Sequence, residues 1–154
     1  MIKTERLLGQ VKTEDLVRGY YKHTSGVYIC CLCGQEFEPG QVYPMEGRFY
    51  EAERAAQMHM QAHGGTFDAL LSLDKKLTGL TAHQAQLLQW MHQGLSDAQI
   101  AQQLDVAPST VRHQRFMFRE KAKQARAYLA LFELSLGQEK QENRGSASIE
   151  SQEE

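Results

Sequence analysis

Four side chains have the types and spacing to do chemistry together: Cys30 and Cys33, two residues apart, and His59 and His63, three apart. A Cys-x-x-Cys pair puts two thiolates on one turn, and histidines four positions apart on a helix project from one face. Together they supply the four donors of a closed tetrahedral zinc site. With every corner filled by protein, no position remains for a catalytic water. The pattern therefore predicts a structural Zn2+ held by Cys30, Cys33, His59 and His63, one that folds a small domain and hydrolyses nothing. Cys31 is the spare. It reads as a bystander thiol, as a substitute for Cys30, or as a redox sensor whose oxidation releases the metal. All three cysteines fall between positions 30 and 33, which in a reducing compartment points to metal or redox chemistry rather than a disulfide framework. His23, His83, His92 and His113 stand alone and read as surface groups.

The elements around these ligands can be read as well. Val27-Tyr28-Ile29 before the cysteines and Glu36-Phe37 after them suit a β-hairpin. Glu51 to His63 reads as a helix containing Ala52, Ala55, Ala56, Met58 and Ala62. Between them, Glu38-Pro39-Gly40 and Val42-Tyr43-Pro44 suggest an added strand and turns. Upstream, Thr13 is placed to cap an amphipathic stretch ending at Tyr21, with Leu16, Val17 and Tyr20 on one side. The segment resembles a two-cysteine two-histidine zinc finger, with Phe37 where such fingers carry a core aromatic. Its middle is enlarged. Between Cys33 and His59 lie 25 residues, where fingers commonly have about 12. The resemblance thus implies a metal-stabilised fold but not finger-style base reading.

Beyond Gly64-Gly65 the chain is nearly free of Gly and Pro to residue 136 and reads as helices. Gln84, Leu87, Leu88 and Met91 share one face of a helix from about Thr81 to Gln93, with Leu80 leading in and Gly94 as its stop. Ser96 and Gln99 have capping-box spacing and open a second helix that would bury Ile100, Ala101 and Leu104. After Asp105-Val106-Ala107, Pro108 suits the first position of a third helix. Two short helices joined by a tight turn, the second rich in arginine, form the geometry that places a helix in a DNA major groove.

These residues carry a resemblance. Leu80-Thr81, Leu87-Leu88, Gly94, Ser96-Asp97, Gln99-Ile100-Ala101, Leu104, Val106 and Ser109-Thr110-Val111-Arg112 are similar to the LuxR/NarL-type helix-turn-helix domains of bacterial response regulators and quorum sensors. The chain departs from that pattern at Gln84, His92, Ala107 and Gln114, where the family usually has Glu, Ala, Ser and His. On the third helix Val111 and Phe118 should face the core, while Ser109, Arg112, His113 and Phe116 share the opposite face. The resemblance implies backbone-phosphate contacts for Thr110 and Arg112 and base-edge positions for Ser109, His113 and Phe116. Arg115 and Arg119 complete the expected double-stranded DNA surface.

Phe118, Ala122, Ala125, Leu129, Phe132 and Leu136 step by fours and threes, the spacing of a coiled-coil seam. Residues 109–136 can run as one helix or break softly near 121–123. In either case an apolar stripe remains, which reads either as a homodimer contact through residues 118–136 or as a surface that packs onto the N-terminal domain; the homodimer is the expectation. Net charge is −2 over 154 residues, but it is segregated. Arg112, Arg115, Arg119, Lys121, Lys123 and Arg126 face one acid, Glu120, and the end of the chain is rich in Glu, Gln and Ser. A basic block beside an acidic tail suits nucleic-acid binding with a competitor for the same surface.

The expected fold is mainly α, with a small α+β zinc-binding domain over 1–65. A helix-turn-helix bundle with a long terminal helix follows over 66–136, and a disordered acidic tail over 137–154. No apolar run approaches membrane-spanning length and no signal-peptide core opens the chain, so a soluble, cytoplasmic protein is expected. No small-molecule substrate or catalytic motif is recognisable, and the chain is not expected to be an enzyme. Its functions divide into a DNA-binding transcriptional regulator and an adaptor that uses the helix-turn-helix for protein assembly.

Overall fold

The computed structural model describes residue 9 and residues 11–146. They divide into two compact units, with the boundary between Ala85 and Gln86. The architecture is mainly helical, with a small α+β region at the N-terminal side.

Among the described residues, the first helix is α1 (Thr13–Arg18). Lys12, not Thr13, occupies its N-cap, and no side chain caps it there. Thr13 is itself already helical, so its hydroxyl lies one position too late to serve. The helix stops at Gly19, earlier than the stretch to Tyr21 suggested, and Tyr20–Lys22 form strand β1 instead. Gly19 has φ +91°, and a Cβ there would meet the Met60 side chain at 2.7–2.9 Å. Only glycine allows both the backbone turn and the close approach.

Strands β2 (Tyr28–Cys30) and β3 (Glu36–Phe37) form the expected hairpin, pairing Tyr28 with Phe37 and Ile29 with Glu36. Strand β1 adds antiparallel to the other side of β2. The enlarged middle is a second hairpin, β4 (Val42–Met45) and β5 (Arg48–Glu51), which turns at Glu46-Gly47. Both turn residues have positive φ, 49° and 75°, the backbone that matches strand twist in a two-residue hairpin.

Helix α2 (Ala52–His59) then tightens into a 3₁₀ turn (Met60–His63), so the expected helix over 51–63 is present in two forms. Ala52, Ala55 and Ala56 pack with Tyr20 and Phe37 as this unit's core. Small residues on the helix let it sit close to the sheet, and the aromatic rings fill the space. Helix α3 (Thr66–Leu71) packs on α1 and the 3₁₀ turn, so the N-terminal unit continues past the boundary expected at residue 65. A short helix α4 (Lys75–Thr78) follows, its N-terminus capped by the Asp74 carboxylate, which accepts from Lys76 N–H at 2.7 Å.

Helix α5 (Ala82–His92) leads into the second unit. Thr81 and Gln84 cap its start reciprocally: Thr81 N–H donates to Gln84 Oε1 at 3.0 Å, and Gln84 N–H to Thr81 Oγ1 at 3.2 Å. Gln where the resemblance suggested Glu thus serves the same local purpose. Helix α6 (Asp97–Leu104) carries the capping box of Ser96 and Gln99. It ends on Asp105 in the left-handed region, φ 53°, a conformation that Asp tolerates better than most residues.

Helix α7 (Pro108–Ser146) is one element of 39 residues. Of the two courses open to residues 109–136, the chain takes the uninterrupted one. Residues 137–146, expected to belong to an unfolded tail, continue the helix; Gln, Glu and Lys are good helix formers, and extending an existing helix needs no new nucleus. The rest of that tail, 147–154, lies outside the described residues. Leu87, Ile100, Ala101 and Val111 form the buried core, with Trp90, Met91, Leu95, Leu104 and Phe118 packed around it.

Candidate metal centre and nucleic-acid interface

The hairpin and helix α2 bring the four metal-ligand candidates together. Cys30 ends β2, and its N–H donates to Gln35 O at 2.9 Å; Gly34 N–H donates back to Cys30 O at 2.9 Å. This closed turn holds Cys33 beside Cys30, and Gly34, at φ +75°, supplies the left-handed residue that it needs. His59 is the last residue of α2, and His63 ends the 3₁₀ turn.

The donor atoms of Cys30, Cys33, His59 and His63 all lie within 4.8 Å of one another. Cys33 Sγ is 3.2 Å from His59 Nε2, Cys30 Sγ is 3.7 Å from His63 Nε2, and the two Nε2 atoms are 3.1 Å apart. A tetrahedron with zinc–sulfur and zinc–nitrogen bonds of ordinary length has edges of about 3.3–3.8 Å. The donor set and its spacing therefore fit a metal ion of zinc's preferences. When bound, such an ion would stabilise the thiolates and tie the sheet to the helix.

The site is buried on one side only: Cys33 is exposed, whereas Cys30 is fully buried, with Met60 Sδ 3.9 Å from its sulfur. Burial pushes its thiol above the usual value. Burial, then the neighbouring His63, lowers His59, keeping its imidazole neutral and able to ligate. The Phe37 and His59 ring centroids lie 5.5 Å apart, so the core aromatic steadies a ligand directly. Cys31 stands outside the cluster. Its thiol faces the carbonyl of Asp15 at 3.7 Å, and burial, helped by Cys30 and Asp15, pushes its pKa up to about 12. Cys31 therefore packs α1 against the knuckle as a neutral thiol. Tyr28 adds a link that the sequence did not suggest, its hydroxyl donating to Glu53 at 3.2 Å.

The second constellation is on α7. Val111 is buried and Phe118 packs on the same core. Ser109, Thr110, Arg112, His113, Phe116 and Arg119 are exposed. By helical geometry Ser109, Arg112, His113 and Phe116 form one solvent face opposite Val111. The His113 and Phe116 rings stack there, 6.4 Å between centroids and 25° between planes. Arg115, expected on the DNA surface, makes contacts within the fold. Its Nε donates to Asp97 at 2.5 Å and its Nη2 to the Leu95 carbonyl at 3.2 Å, tying α7 to the start of α6. At two positions past His113, it lies off the outward face and within reach of that neighbour.

The lower part of α7 is also exposed, and Tyr128, Leu129, Leu131, Phe132, Leu134 and Leu136 show between 42% and 70% of their surface. No helix among the described residues is long and apolar enough to cross a membrane. The model of the luxR family of bacterial regulatory proteins (GerE) matches residues 78–121, less than a third of the chain. No curated protein and no solved structure matches. The family match covers α5, α6 and the first turns of α7, and supports a DNA-binding regulator of LuxR type.

Proposed function

We propose that this chain is a cytoplasmic transcriptional regulator that binds double-stranded DNA sequence-specifically as a homodimer, its N-terminal unit held folded by one structural zinc ion. One observation carries the DNA reading: within the luxR-family match, Ser109, Arg112, His113 and Phe116 share a solvent face of the helix whose other side, through Val111 and Phe118, is anchored in the core. A helix so anchored can enter a major groove without unfolding its own support. Thr110, Arg112 and Arg119 then meet phosphates, while Ser109, His113 and Phe116 lie nearest the base edges. Cys30, Cys33, His59 and His63 hold the zinc; with four protein donors its role is structural rather than catalytic.

The partner of the lower α7 stripe is a second copy of this chain. Leu131 and Leu134 lie on the opposite side of the helix from Leu129, Phe132 and Leu136. From the exposed fractions of those last three, the seam presents roughly 300 Å². Its four-three spacing is the self-complementary pattern of paired helices.

The test is fluorescence-anisotropy binding of the zinc-loaded chain to mixed-sequence duplex DNA over a salt series. Log affinity should fall linearly with log salt, by about 0.9 for each phosphate contacted. Absence of binding down to low ionic strength would remove the DNA reading and leave the protein-assembly adaptor.

A further inference from the structure

The outward face of α7 contains an aromatic residue that the fold does not use. Phe116 is 48% exposed and belongs to neither hydrophobic core. Phe118, two positions on and some 200° round the helix, is the phenylalanine that packs inward. Phe116 instead lies against the ring of His113, making a flat, mostly apolar plate on the face that also carries Ser109 and Arg112. Arg112 lies one turn before it and Arg119 three positions after it, and both are exposed cations.

A plate set between phosphate-seeking cations will meet base edges when the helix enters a groove. The major-groove edges of the four bases present donors and acceptors, and one apolar group, the 5-methyl of thymine. Phe116 can neither donate nor accept, so hydrogen-bonding edges are desolvated against it without compensation. A thymine methyl gains from the same contact. We infer that Phe116 is a specificity-determining residue that selects a T·A pair in each half-site by packing on the thymine 5-methyl group, with His113 holding its ring in place.

This inference rests on the DNA-binding reading, and its test separates the two. The zinc-loaded full chain selects its sites from a random duplex library, and the selected sequence is remade with deoxyuridine replacing thymine at each position in turn. Uracil differs from thymine only by the missing methyl. At one position in each half-site the wild type should weaken about fourfold, the effect of taking one methyl out of water. Phe116→Ala should bind the thymine duplex about as weakly as the wild type binds the uracil duplex, and should be indifferent to the exchange. Phe116→Leu should restore part of the discrimination. Circular dichroism confirms that the exposed substitutions leave α7 intact.

Duplex binding that is insensitive to every thymine-to-uracil exchange overturns the inference and leaves the DNA reading standing. So does Phe116→Ala discriminating as the wild type does. Failure to bind any duplex removes both.

Discussion

Arg115 and Asp97 lie 18 positions apart in sequence and meet at 2.5 Å, joining the first turn of α6 to the third turn of α7. The same guanidinium also donates to the Leu95 carbonyl, so it grips both the entry to α6 and its first residue. The pair is about 30% and 27% exposed, so water screens it only partly. It fixes the angle at which the outward face of α7 is presented, which van der Waals packing of Val111 alone would leave freer to rotate. Arg115→Ala and Asp97→Ala should each destabilise the helical unit by about 1 kcal/mol, discounting for partial exposure. Trp90, the single tryptophan, packs on this core and its fluorescence follows the transition. A double-mutant cycle should show the two losses to be non-additive; strictly additive losses would mean that the contact does not form in solution.

The same geometry separates two arginines that look equivalent by type. Arg112 is exposed on the outward face, whereas Arg115 is committed within the fold. Arg112→Ala should therefore lower the salt slope of DNA binding by about 1, the signature of one lost phosphate contact. Arg115→Gln should leave the slope unchanged even where overall affinity falls through lost stability. Equal changes of slope in both variants would return Arg115 to the interface.

For the metal centre, the informative comparison is between neighbouring cysteines. Cys33→Ser removes a donor of the four-atom cluster, while Cys31→Ala removes a thiol that faces Asp15 O outside it. Atomic absorption should find one zinc per chain in the wild type and in Cys31→Ala, and a substoichiometric amount in Cys33→Ser. A strong chelator should unfold the N-terminal unit, since the core of three alanines, Tyr20 and Phe37 is small. Trp90 emission should change little, because that residue belongs to the other core. Full zinc retention by Cys33→Ser would eliminate the proposed ligand set.

Most of this was legible in the chain because it is written in local spacing. Cys30, Cys33, His59 and His63, the Ser96–Gln99 capping box and the inward Val111 each follow from residue types a few positions apart. Phe37 as a core aromatic was readable from its distance to Cys33. What escaped was set by tertiary contact. Strand β1 exists because Tyr20–Lys22 pair with Tyr28–Cys30, which no helical or alternating pattern announces. Trp90 and Leu95 join the core through helix crossing, and Arg115 is claimed by Asp97, across a helix-helix packing that sequence spacing does not encode. The Thr81–Gln84 cap is different. Its Thr-x-x-Gln signal is local, but placing Gln84 on the apolar face of the helix hides it.

The lower half of α7 makes the strongest demand on something outside the chain. From Ala127 to Leu136 the helix has two polar residues, Glu133 and Ser135, and its large apolar side chains are exposed. As part of a single 39-residue helix it leaves Leu129, Phe132 and Leu136 solvated. Pairing with a second copy would cover them, because the seam Leu129-Phe132-Leu136 lies on the same side as Phe118, Ala122 and Ala125. Sedimentation equilibrium should therefore find a dimer. The double variant Leu129→Glu, Phe132→Glu should be a monomer with reduced helical signal and unchanged Trp90 fluorescence, because it opposes like charges in the seam without touching the helix-turn-helix core. DNA affinity should fall by more than tenfold, since two linked half-sites bind far more tightly than one. A wild type that sediments as a monomer at tens of micromolar would show that the stripe serves a different partner, and the operator would then be expected to be a single site rather than an inverted pair.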